Sequence, residues 1–222
     1  MQTGRVKSSP LRSPRSWGIL VLGTVCAGIA VGLLLDTAFG VAPVDAVFSG
    51  ISRMTGISVG TALIAACVAL VVVAWLLGVK PGLGTVISFI GIGLAVDATT
   101  WVLEATGWSV SDNAWQVRLL VWMIAAPLLG FAAACMYSSG LGASPYDLFV
   151  QSLGRFHLSI PVARIIIDGA MLLVAFLIGG AWGLGTVGLM LAIPLFLKLF
   201  LPIVARFAPH QSFEHPARST SV

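Results

Sequence analysis

The chain has 222 residues, 58% of them hydrophobic and 9% charged, with a mean hydropathy of +1.03 and a formal net charge of +4. A soluble domain carries about 25% charged residues, so this composition excludes one and points to a polytopic membrane protein. The positive charge does not mark a nucleic-acid partner either, because the basic residues form no face interleaved with aromatics.

Residues 1–16 hold Arg5, Lys7, Arg12 and Arg15 and read as a disordered, basic, cytoplasmic N-terminus. Apolar runs at about 17–35, 58–79, 82–103, 114–137, 160–179 and 183–200 follow, each near the roughly 20 residues that cross the hydrocarbon core as a helix. The alternative for residues 1–42 is a cleaved signal peptide. Against it, the apolar run is too long for an h-region, and Gly28-Ile29-Ala30 has a counterpart at Gly130-Phe131-Ala132 inside a later span. Lys80, Arg155, Arg206 and Arg218 join the N-terminal cations on one side, leaving only Arg53 and Arg118 near the other. The positive-inside rule then puts both termini in the cytoplasm.

The chain repeats itself. Gly82-Leu83-Gly84-Thr85-Val86 recurs as Gly183-Leu184-Gly185-Thr186-Val187, and Gly40-Val41-Ala42-Pro43-Val44-Asp45 returns as Gly142-Ala143-Ser144-Pro145-Tyr146-Asp147, at offsets of 101 and 102. The expected organisation is a membrane repeat over 17–104, an external linker over 105–117, a second repeat over 118–206 and a disordered cytoplasmic tail over 207–222. Three crossings per copy are an odd number, so the second copy is inverted, an architecture shared by many secondary transporters. The expected fold class is an all-α membrane protein of six transmembrane helices, two inverted three-helix repeats each with a short non-spanning helix.

Those short segments, 43–54 and 145–156, would reach only about 18 Å as helices and cannot cross a bilayer. Proline at the first helical position, Ser144 as an N-cap, and Asp45 and Asp147 in the first turn make each a helix-start device. The functional reading is that the two helix N-termini form half of an anion or carboxylate site. The bland one is a structural cap. Gly82, Gly84, Gly183 and Gly185 suit tight turns and close helix packing, with Thr85 and Thr186 able to bond a carbonyl or face a cavity. The sequence GxxxxGK[ST] is absent, so no phosphate loop is expected.

Four charges fall inside apolar runs: Asp97, Arg164, Asp168 and Lys198. Each is costly in a bilayer unless paired or wet. Arg164 and Asp168 are four apart on one helix face, and Asp97 and Lys198 are equivalent positions of the two copies, so a midplane Asp97–Lys198 pair is one expectation and a snorkelling Lys198 the other. These charges either line a solute or proton path or fix helix register as buried pairs. Cys26, Cys67 and Cys135 lie in spans without metal-ligand spacing and read as packing residues, while Trp17, Trp101, Trp108 and Trp115 sit near span ends. His157 is taken as a surface histidine, and His210 and His215 fall in the tail.

Gly40-Val41-Ala42-Pro43-Val44-Asp45 with Ile57-Ser58-Val59-Gly60-Thr61, then Lys80-Pro81-Gly82-Leu83-Gly84-Thr85 and Gly91-Ile92-Gly93 leading to Asp97, resembles the YczE/YitT-like family of bacterial integral membrane proteins over 17–206. Val44 departs from the aromatic expected after the proline, whereas Tyr146 supplies one. The resemblance implies a bacterial inner-membrane protein and hands over no catalytic or substrate residues. The sequence assembles no nucleophile with its base, no HExxH and no dinucleotide fingerprint, so no enzyme, no cofactor and no metal are expected. The expected function is a secondary transporter or exporter of a small polar solute, with a non-transporting accessory to another enzyme or sensor as the alternative. Expected partners are the lipid bilayer and the solute, with no nucleic acid, and self-association into a homo-oligomer is left open.

Overall fold

Lipid offers no water to a free amide, so an apolar chain of this length has to close its hydrogen bonds within each segment. The computed structural model describes residues 13–142, 144–152 and 160–208, and among them the secondary structure is helical throughout. The helices are α1 (Pro14–Asp36), α2 (Pro43–Thr55), α3 (Val59–Leu76), α4 (Leu83–Thr106), α5 (Trp115–Ser139), α6 (Pro145–Ser152), α7 (Ile160–Leu177) and α8 (Leu184–Ala205). Five of the six expected spans, α1, α3, α4, α5 and α8, are long and apolar enough to cross a membrane. α7 has 18 residues, the same as α3, and carries Arg164 and Asp168. Large apolar side chains point outward, Leu76, Leu184 and Leu191 among them, as a lipid-facing surface requires. Residues 1–12 and 209–222 lie outside the described residues, as do Arg155, His157, His210, His215 and Arg218.

Small residues set the helix spacing, because helices in lipid associate by close van der Waals contact. α1 packs on α5 and α4, and α5 on α8. A Cβ on Gly28 of α1 would strike Ala95 of α4, and one on Gly130 of α5 would strike Phe196 of α8. Both residues of the second contact are the repeat counterparts of the first. Each short helix bridges the two halves: α2 rests on α7 as well as on α3, and α6 on α3 as well as on α7.

The two repeated motifs meet each other. The Gly84 amide donates to the Leu141 carbonyl at 3.1 Å, and the Gly185 amide donates to the Phe39 carbonyl at 2.8 Å. Each glycine turn of one copy is thus locked onto the loop that opens the other copy's short helix. A Cβ on Gly142 (φ +150) would lie 2.5 Å from Thr85 Oγ1, and one on Gly40 (φ +104) would strike Thr186 Oγ1. The glycines recur because two backbones touch there. Thr186 also accepts the Gly183 amide at 3.1 Å.

The two arginines apart from the basic cluster have structural tasks. Arg118 Nε donates to the Thr37 carbonyl at 2.8 Å with its guanidinium 4.8 Å from the centre of the Phe39 ring, and Arg53 Nη1 donates to the Gly179 carbonyl at 3.0 Å. Asp36 at the end of α1 accepts the Val110 amide at 2.7 Å and so ties down the linker between the copies.

Candidate functional site

At α6 the helix start is fully assembled. Ser144 Oγ accepts the Asp147 amide at 3.1 Å and donates to Asp147 Oδ2 at 2.7 Å, which occupies one first-turn donor and the carboxylate together. Arg164 of α7 then reaches Asp147 Oδ1 at 3.5 Å and lies 4.0 Å from Asp168 Oδ2 one turn on. The Tyr146 hydroxyl donates to Asp168 Oδ1, and the Arg164 guanidinium stands 5.3 Å from the centre of the Tyr146 ring. Two carboxylates, one guanidinium and one phenol form a single network, and the Tyr137 phenol of α5 lies against its Asp147 and Arg164.

The other copy keeps only one member. Ala42, Val44, Leu63 and Cys67 occupy the positions equivalent to Ser144, Tyr146, Arg164 and Asp168, so Asp45 on α2 has no neighbour to pair with. The residue is 8% exposed and makes no hydrogen bond or ion pair to a described residue. A buried carboxylate without a donor is costly, so such a group asks for a partner.

Both halves line one cavity of about 190 Å³. Pro43 and Asp45 enter from α2, Ser144, Pro145, Tyr146 and Asp147 from α6, and Arg164 and Asp168 from α7. The rest of the wall is apolar or aromatic, including Val31, Phe48, Leu63, Phe89, Tyr137 and Ile193. Facing the cavity are three carboxylates against one guanidinium.

Asp97 and Lys198 do not line this space. Asp97 of α4 accepts the Ser58 hydroxyl at 2.6 Å and the Gly60 amide at 2.7 Å, capping α3 from outside. A Cβ on Gly60 would sit 2.6 Å from the Asp97 carboxyl carbon, so glycine is what admits the carboxylate. Lys198 is exposed on α8, and the expected Asp97–Lys198 ion pair is not formed. The physical reason is local: a free helix end offers two donors at contact distance, and the carboxylate takes them. Cys67 lines the cavity, whereas Cys135 packs where a Cβ on Gly23 would come within 2.8 Å of it.

A family of unknown function, DUF6198, matches residues 14–202. The chain belongs to this family. An uncharacterized protein of Haemophilus influenzae is 34% identical over 197 residues, covering 88% of this chain and 87% of its own. The uncharacterized protein YyaS of Bacillus subtilis is 25% identical over 190 residues, 83% of this chain and 92% of its own. No solved structure matches. The DUF6198 match and these two bacterial relatives bear no YczE/YitT label, and what they share with the expectation is a bacterial chain of matching length. With the five apolar helices, this is a membrane-embedded helical protein of a family without an assigned function.

The capping role of Asp97 has a measurable consequence. Asp97→Ala strips Ser58 and the Gly60 amide of their acceptor and is expected to cost about 1–2 kcal/mol, the usual loss for a helix cap. Thermal unfolding of the detergent-purified protein reads this directly, and an unchanged midpoint would show the cap to be dispensable.

Proposed function

We propose that the protein is a secondary carrier of a small polar solute in the bacterial cytoplasmic membrane, with no enzymatic step. In this reading α7 is the sixth span, both termini are cytoplasmic, and the copies α1–α4 and α5–α8 are inverted repeats. Support comes from contacts that recur at the repeat offset: Gly28 on α4 and Gly130 on α8, α2 on α7 and α6 on α3, and the paired Gly84–Leu141 and Gly185–Phe39 hydrogen bonds. The observation that carries the reading is the cavity, lined by the starts of both short helices and by the charged face of α7. Carriers built from inverted repeats bind their solute at such a junction, and rocking of one repeat against the other exposes it to either side. Intramembrane charges around a cavity are what a solute path needs.

Reconstituted vesicles carrying an imposed proton gradient, incubated with pooled metabolites and assayed by mass spectrometry, should accumulate or release one solute class. Asp168→Asn, which removes a cavity carboxylate, should lower that flux at least tenfold, whereas Asp97→Asn should leave it standing. Absence of flux for every solute would sink the carrier. In a cysteine-free background, Lys80→Cys and Trp182→Cys, both at exposed turn positions before the repeated glycine motif, should be labelled from opposite membrane faces. Labelling from the same face would refute the inversion.

A further inference from the structure

Asp45 is the group in the cavity that no described residue answers. Arg164 and the Tyr146 hydroxyl already serve Asp147 and Asp168, and the Asp147 amide at the start of α6 donates to Ser144. A bound anion would therefore meet three carboxylates and find the guanidinium engaged. The half around Asp45 is Ala42, Val44, Phe48, Leu63 and Cys67, which offers one carboxylate and no set of oxygen ligands. A hard metal cation takes six or more oxygens, so the lining does not suit one. Aromatic faces do suit an organic cation, because a ring attracts positive charge through its quadrupole.

We propose that this cavity binds a small organic monocation, a protonated amine with an apolar or aromatic body, and that Asp45 is its counter-ion. The assignment rests on the cavity being the solute site of the carrier reading and names the class of solute. At about 190 Å³ the space is comparable to cavities of about 150 Å³ that accept benzene, leaving room for an ammonium group on a one-ring body. The N–H donors of the cation supply what the buried carboxylate lacks. Burial pushes the Asp45 carboxyl up to about 7. A proton and the cation therefore compete for one group near neutral pH. The other titratable groups around the cavity are Cys67 on α3, Tyr137 on α5, Tyr146 and Asp147 on α6, and Arg164 and Asp168 on α7.

Three probes of one shape separate charge from size: benzylamine, benzyl alcohol and benzoate, titrated into the full-length protein in detergent by calorimetry with thermal shift alongside. Benzylammonium should bind at least about tenfold more tightly than benzyl alcohol, and benzoate more weakly than either. Asp45→Asn should erase the preference for the cation while benzyl alcohol still binds, which shows that the variant is folded. In the wild type, affinity for the cation should fall as pH drops through about 7, and the variant should lose that dependence. Tighter binding of benzoate, a cation preference that survives Asp45→Asn, or failure of all three probes overturns the proposal. A protein that binds benzylammonium and moves no solute refutes the carrier alone, whereas a carrier whose solutes are all anions refutes this assignment alone.

Discussion

Replacing Arg164 with leucine, the residue found at the equivalent position 63 of the first copy, should destabilise the protein by about 3 kcal/mol. The arginine side chain is 34% exposed and its two carboxylate partners 15% each, so the charges are mostly but not wholly removed from solvent. Removing one member of a buried ion pair costs about 3–5 kcal/mol because the partner is left uncompensated, and partial exposure places the value at the lower end. The loss should lie in the stranded Asp147 and Asp168 more than in the missing attraction. Arg164→Leu combined with Asp147→Asn and Asp168→Asn should therefore recover more than half of the lost stability. Arg164→Lys should fall between, since an ammonium is a point charge and lacks the planar fork that reaches Asp147 and Asp168 together. Unfolding in mixed detergent, followed by tryptophan fluorescence, orders the four proteins. If Arg164→Leu unfolds like the wild type, the network is energetically a surface feature.

The second large effect lies in the crossed glycine turns. Gly84→Ala would put a Cβ 2.5 Å from Leu141 Cβ and 2.8 Å from its carbonyl carbon and oxygen, so backbone has to move and the Gly84–Leu141 hydrogen bond goes with it. Overpacking costs about 1–3 kcal/mol and the lost bond about 1 more, for an expected total of about 2–4 kcal/mol. Gly185→Ala meets Trp122 Nε1 at 2.6 Å and the Phe39 carbonyl oxygen at 2.8 Å, and should be milder because an indole can swing aside. Gly169→Ala on α7 meets nothing within 4 Å and should stabilise by about 0.5–1 kcal/mol, the helix preference for alanine. Yield of monodisperse protein and thermal midpoint should rank the variants Gly169→Ala, wild type, Gly185→Ala, Gly84→Ala from most to least stable. A Gly84→Ala protein as stable as the wild type would remove the lock as an organising contact.

The letters of the sequence located the cavity's charged members but misjudged which difference between the copies matters. Asp97 against Lys198 stands out in an alignment because opposite charges occupy one position. In the folded protein Asp97 is satisfied by Ser58 and Gly60, and Lys198 is exposed. The differences that shape the cavity are Arg164 against Leu63 and Asp168 against Cys67, at the same offset of 101. They were legible in principle, since they leave Asp45 without the partner that Asp147 has. What hid them is that a missing partner has no letter of its own.

By itself the sequence determined the membrane setting, the recurrence of the glycine and Pro-x-Asp motifs and the chemistry of each helix start. These follow from composition, from the length that crosses a hydrocarbon core and from the local bonding of a proline and carboxylate in a first turn. Only the tertiary structure decided that each glycine turn closes on the other copy's loop, that the short helices reach α7 and α3 of the opposite half, and that Asp45 ends in a shared cavity without a donor among the described residues. Those outcomes depend on contacts between residues far apart in the chain, from Gly84 with Leu141 to Phe39 with Gly185, and in lipid such contacts are chosen by close packing of small residues, which leaves only a faint periodic trace in the chain.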